Sequence, residues 1–131
     1  MRWESKDYYP GDIIRVKLGS VYHYGIFVSE DEVIQFGYPP LDIYQDKEKV
    51  VVATDIDTFA CSQLIEVGSF VFNDHKKRFR PELTIDTARK RIGEGGYDML
   101  TNNCEHFAFE CYSGRHYSSQ EEDMRKKWEK L

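Results

Sequence analysis

The chain has 131 residues, of which 40% are hydrophobic and 31% charged, and its formal net charge is −5. That length makes one domain of ordinary size with room for a real core, so residues 1–131 are read as a single domain. The acidic balance argues against nucleic acid, whose binding depends on basic patches. The longest strongly apolar run, Val50-Val51-Val52-Ala53, is far short of the ~20 residues a membrane helix needs. No basic-then-apolar signal pattern opens the chain, and Cys61, Cys104 and Cys111 form no disulfide framework. The expectation is a soluble, unexported protein of a reducing, cytoplasmic compartment.

In chain order, residues 12–18, 21–28 and 32–36 read as three short strands joined by tight turns, which implies an antiparallel meander. On the second strand a period of two places His23, Gly25 and Phe27 on one face and Tyr22, Tyr24, Ile26 and Val28 on the other. Gly25 leaves an open strip beside His23, through which another element can approach the imidazole. Gln35, on the third strand, lies across from His23 in such a hairpin. Tyr38-Pro39-Pro40 is a turn or rigid loop placed to rim a cleft. Residues 50–53 and 68–72 offer two further strands, and the stretch 55–66 between them reads as a short helix or an irregular crossover. His75-Lys76-Lys77-Arg78-Phe79-Arg80 is a basic run, either a solvated loop or a holder of anionic head groups. From Leu83 onward Ile85, Ala88 and Ile92 mark an amphipathic helix, with Thr84 as N-cap and Gly93, Gly95 and Gly96 ending it. The fold class is therefore α+β.

The last third carries the chemistry. After an extended Tyr97-Asp98-Met99-Leu100, the turn Thr101-Asn102-Asn103 supplies N-cap chemistry, and a helix runs from about Cys104 to Tyr112. Cys104 thus sits at or near the first helical position. Unpartnered backbone N–H groups and the positive end of the helix dipole favour a thiolate there. The competing reading is a buried structural cysteine. Cys104, His106 and Cys111 do not read as a metal site, because successive helical positions turn by ~100° and no paired C-x-x-C is present. Glu105 and His106 read as helix-start and packing residues. A last helix within 117–131 is indicated by Ser119 and Glu122 as a capping box and by Met124, Trp128 and Leu131 at helical spacing. Its apolar face docks on the domain in one reading and lies on a membrane surface in the other.

The run Asn103-Cys104-Glu105-His106-Phe107, with a histidine on the early strand Tyr22-His23-Tyr24-Gly25-Ile26-Phe27-Val28, resembles the lecithin retinol acyltransferase family. That family includes phospholipase A/acyltransferase proteins and is a circularly permuted branch of the NlpC-type, papain-like superfamily. The likeness runs from about Tyr8 to Gly114 and takes in Pro10-Gly11-Asp12-Ile13-Ile14 as the opening segment. The resemblance implies that Cys104 is the nucleophile and His23 the general base. It places the third catalytic position, usually histidine in the animal enzymes, on Gln35. A glutamine carbonyl can accept from the imidazole N–H and hold one tautomer, but it cannot carry a proton. The alternative at that position is a lost third residue in a weakened or inactive enzyme. The backbone N–H of Cys104 is the candidate oxyanion donor. The implied activity is acyl transfer or hydrolysis of a lipid ester through a thioester, with no cofactor, no metal and at most peripheral membrane contact. A cysteine peptidase or amidase would need the same residue pair, and a catalytically silent binding module would keep the fold alone.

Overall fold

The structure is a computed structural model and describes residues 1–37, 49–71, 77–99 and 101–131. Six strands, β1 (Arg2–Glu4), β2 (Ile13–Leu18), β3 (Val21–Ser29), β4 (Glu32–Phe36), β5 (Val51–Thr54) and β6 (Ile65–Ser69), form one antiparallel sheet in the order β1-β6-β2-β3-β4-β5. Among the described residues four helices accompany it, α1 (Ile56–Ala60), α2 (Pro81–Lys90), α3 (Cys104–Ser113) and α4 (Ser119–Glu129). The class is α+β, and β2-β3-β4 is the expected meander.

Strand alternation divides the core between the two faces of the sheet. Ile13, Tyr24, Ile26, Ile34 and Phe36 pack with Ala88 of α2 and with Phe107, Ala108, Cys111 and Tyr112 of α3. Ile14, Val16, Phe27, Val33 and Val67 point the other way and pack with Phe59 of α1. Most of these side chains are fully buried, and each large one contributes roughly 1.5–3 kcal/mol of apolar transfer free energy. His23 stands opposite Val16 in the register and so belongs to the α1 face.

Several boundaries differ from the sequence reading, each for a local reason. The stretch 55–66 holds both a helix and the start of a strand: Asp55 caps α1 by accepting from Thr58 N–H at 2.7 Å, and β6 begins at Ile65. The strand expected at 68–72 therefore lies earlier, and Phe72 is outside the described residues. Helix α2 starts at Pro81, whose fixed φ and missing N–H suit the first helical position, so Arg80 rather than Thr84 is the cap. Thr84 is buried inside the helix, its hydroxyl without a partner among the described residues. The helix ends at Lys90, before the three glycines. The segment expected to be extended at 97–100 is not a strand in its described part: Asp98 and Asn102 form an isolated bridge, and Asp98 Oδ1 accepts from Thr101 N–H. Tyr38-Pro39-Pro40, His75, Lys76 and Leu100 lie outside the described residues. Within the described part of the basic run Arg78 is structural, since it pairs with Asp12 at 2.9 Å, donates to the Gly11 carbonyl at 2.7 Å and lies over the Tyr112 ring, whereas Lys77 and Arg80 are exposed.

Candidate active site

Asn103 caps α3 from both ends of its own residue. Its side-chain oxygen accepts from the N–H groups of Glu105 and His106, and its backbone N–H donates to His106 Nδ1 at 3.0 Å. This reciprocal box places Cys104 at the first helical position, as expected. The Cys104 sulfur accepts from the backbone N–H of Tyr24, next to His23 in the chain, and is also approached by the N–H groups of Cys104 and Glu105. These donors pull the thiol pKa down. Burial and the Glu105 charge push it up, burial most strongly, and the result is a thiol at about 11. The thiolate expected from the helix start is therefore not the resting form: desolvation outweighs the helix-end N–H groups.

His23 comes to the same place from the sheet. The β3–β4 ladder ends at the Ile26–Ile34 pair, although β3 extends back to Val21 and β4 on to Phe36. The ends of the two strands flank this break in pairing. Across it His23 Nε2 meets Gln35 Oε1 at 2.5 Å. Gln35 Nε2 donates to Thr54 Oγ1 at 2.6 Å, and the Thr54 hydroxyl donates onward to the Asp55 carbonyl at 3.1 Å. Followed backwards, these bonds orient the imidazole. Thr54 must accept from the Gln35 amide, so Gln35 presents its oxygen, and His23 carries its proton on Nε2 and its lone pair on Nδ1. Burial, at 4% exposure, lowers the His23 pKa to about 4, with the Gln35 bond opposing and the Lys49 charge assisting.

The open strip at Gly25 is filled, but not by α3. A Cβ there would meet Phe59 of α1 at 2.8 Å, and the Phe59 ring lies 5.4 Å from that of His23. Helix α3 packs on the opposite face of the sheet, while His23 lies beyond the last β3–β4 pair. His23 and Cys104 both line one cleft of about 240 Å³, with Tyr22, Tyr24, Phe36, Lys49, Tyr97 and Asn103 among its walls. Tyr22, on the face opposite His23, reaches the wall because the cleft lies at the strand end. A larger cavity of about 800 Å³, beside Lys6, Asp12, Arg78 and Tyr112, contains neither His23 nor Cys104.

The sequence reading did not single out Thr54, the Tyr24 N–H, Lys49 or the segment at the start of α4. Thr54 had a signal, because a polar residue closing an otherwise apolar strand on the Gln35 side is placed to bond it. His106, His116 and Glu121 also gather, with ligand-type atoms within 4.8 Å of one another. His106 Nδ1 accepts from Asn103, so its Nε2 holds a proton, which it donates to Glu121 at 2.5 Å. To bind a metal through Nε2, His106 would need the opposite tautomer, with Nε2 bare and Nδ1 donating, whereas its Nδ1 accepts from the Asn103 N–H. This cluster is a hydrogen-bonded one.

A thiol at a helix start and an oriented neutral imidazole thus share one cleft of an α+β protein. Residues 6–117 match the family model for lecithin retinol acyltransferase, and the chain belongs to that family. It is 28% identical to the lecithin retinol acyltransferase of Mus musculus over 92% of this chain and 61% of that protein. To the Homo sapiens protein of the same name it is 28% identical over 90% of this chain and 60% of the relative. The chain thus spans about three-fifths of the length of these curated relatives.

Proposed function

We propose that the protein is a cysteine-dependent acyltransferase or hydrolase of lipid esters, built on a permuted papain-like plan, with Cys104 as nucleophile, His23 as general base and Gln35 as the residue that orients His23. The observation that carries this reading is that His23 and Cys104, from opposite ends of a family-matched sequence, line one cleft with the His23 tautomer set by Gln35. Both groups rest neutral at pH 7. Moving a proton from a thiol at about 11 to an imidazole at about 4 costs on the order of 10 kcal/mol before the new charges attract. A preformed ion pair is therefore disfavoured, and proton transfer accompanies attack.

In the first step Cys104 Sγ bonds to the ester carbonyl carbon while His23 Nδ1 takes the thiol proton. The Cys104 and Tyr24 N–H groups donate to the developing oxyanion. The carbon–oxygen bond then breaks, the leaving alcohol takes the proton from His23, and a thioester remains. Water, an amine or another alcohol, deprotonated by His23, then attacks the thioester carbonyl, the carbon–sulfur bond breaks, and the Cys104 sulfur takes the proton back from His23. A cleft of 240 Å³ is below the ~300–1,000 Å³ usual for ligand pockets, so it encloses the ester and a short part of the acyl chain. Val21 and Met99, both exposed, offer apolar surface at its mouth. No helix among the described residues is long and apolar enough to cross a membrane. Cys61, Cys104 and Cys111 are free thiols, a state that a reducing compartment maintains. Intact-protein mass after incubation with a short-chain phospholipid and, separately, with a peptide ester tests the reading. An acyl adduct on Cys104 from the lipid supports it, and an adduct from the peptide ester alone would make the protein a peptidase or amidase.

A further inference from the structure

The family match ends at Tyr117, and the strongest unexplained polar contacts begin one residue later. Ser118, 1% exposed, accepts from Asn103 Nδ2 at 3.2 Å. Ser119 directs both its N–H and its hydroxyl to Glu105 Oε1, each at 2.9 Å. Glu121 accepts from His106 at 2.5 Å, while Gln120, between them, lines the cleft. Cap serine and capping box were expected at Ser119 and Glu122. Instead Ser118 caps α4, Glu122 pairs with Arg125, and the Ser119 hydroxyl is released to bond α3.

Every one of these bonds ends on Asn103, Glu105 or His106, the residues that bracket Cys104. Helix α4 has no buried residue of its own, so these bonds rather than core packing tie it to the domain. Its first turn is thus spent on the start of α3. We propose that Ser118, Ser119 and Glu121 are positioning residues for Cys104, holding the first turn of α3 in register. The proposal rests on the reading of Cys104 as nucleophile. His106 can accept from Asn103 N–H only while its ring is held in plane, and Glu121 holds it from the far side. Releasing Glu121 frees the ring and loosens the cap one residue before the sulfur. A displacement of about 1 Å at a reacting atom can lower a rate by about 10²-fold.

The test compares Glu121→Ala with Glu121→Gln, whose amide oxygen can still accept from His106. For Glu121→Ala we expect kcat for a short-chain ester to fall by about tenfold with KM little changed, and Glu121→Gln to recover most of the loss. Gln120→Ala, which alters only the cleft wall, should instead act mainly on KM. A second arm needs no turnover: alkylation of Cys104 by iodoacetamide at pH 8 should rise severalfold in Glu121→Ala, while Cys111 stays protected. Parent-like acylation and parent-like Cys104 labelling in Glu121→Ala would overturn the proposal. So would exposure of Cys104 and Cys111 together, the mark of general unfolding. If the parent protein forms no acyl adduct, the nucleophile reading fails, and the labelling arm alone still decides whether this turn positions Cys104.

Discussion

His23 and His106 are both buried imidazoles, 4% and 0% exposed, and each has a side-chain oxygen 2.5 Å from Nε2. They differ in what remains. His106 has its second nitrogen occupied by the Asn103 N–H, and its ring stacks on His116 at 4.1 Å. His23 has its lone pair on Nδ1 and lines the cleft with Cys104. Burial and a short hydrogen bond therefore do not identify a base. The number of ring nitrogens already committed separates a structural imidazole from one that can accept a proton.

The sharpest way to break this contrast is to remove each ring. Cys104→Ala should abolish acyl-adduct formation, and His23→Ala should slow it by about 10³-fold with the fold retained, as followed by mass and circular dichroism. His106→Ala should act chiefly on stability, lowering it by about 2 to 4 kcal/mol in denaturant titration, because a buried N–H and a packed ring lose their partners. Equal rate losses in the two histidine variants would remove the distinction.

Acid should act on His23 through its neutral form. Its folded pKa of about 4 lies below the ordinary imidazole value of 6.5, so between these values the unfolded chain binds the extra proton. Stability from this group is complete above about pH 6.5 and is lost as pH falls toward 4, by about 3 kcal/mol in all. Denaturant titrations across pH 4–7 measure it, and the slope should flatten in His23→Gln. Activity should likewise show no fall near pH 6.5.

Loss of the orienting bond is expected to have a smaller effect. Gln35→Ala should lower kcat by about 10- to 100-fold, Gln35→Asn or Gln35→His should retain part of the rate, and Thr54→Val should cost less than Gln35→Ala because it removes only the anchor of the amide. A Gln35→Ala protein acting at the parent rate would remove Gln35 from the site. The smallest change should follow Glu105→Gln. A negative charge beside a thiol raises its pKa, so neutralising Glu105 should move the Cys104 thiol down from about 11, and the pH profile of its alkylation should shift to lower pH.

Much of this protein could be read directly along the chain. The β2-β3-β4 meander follows from period-two alternation, the start of α3 follows from Asn103 and its capping chemistry, and the pentapeptide from Asn103 to Phe107 singles out Cys104. These are local properties, set by backbone geometry within a few residues. The capping of α4 was legible only in kind, since Ser118 and Ser119 are both competent caps and the contact of Ser119 with Glu105 decides between them.

The protonation state at the site was not local. Helix-end chemistry argues for a thiolate at Cys104, and only the packing of β3 against α3 shows that desolvation prevails. Residue spacing placed Gln35 near His23, whereas the tautomer depends on Thr54 and Asp55, which β5 and the turn after it bring alongside. Alternation placed His23 on one face with Gly25 and Phe27; the fold puts α3 on the other face, and both His23 and Cys104 line a cleft beyond the end of the β3–β4 ladder. The sequence by itself determined which residues are candidates for the chemistry and which element each one rides on, because those follow from side-chain type and short-range backbone preference. Tertiary structure alone decided which charges are desolvated, which nitrogen holds the proton and which segment braces the cysteine, because each depends on groups distant in sequence that folding brings within hydrogen-bonding distance.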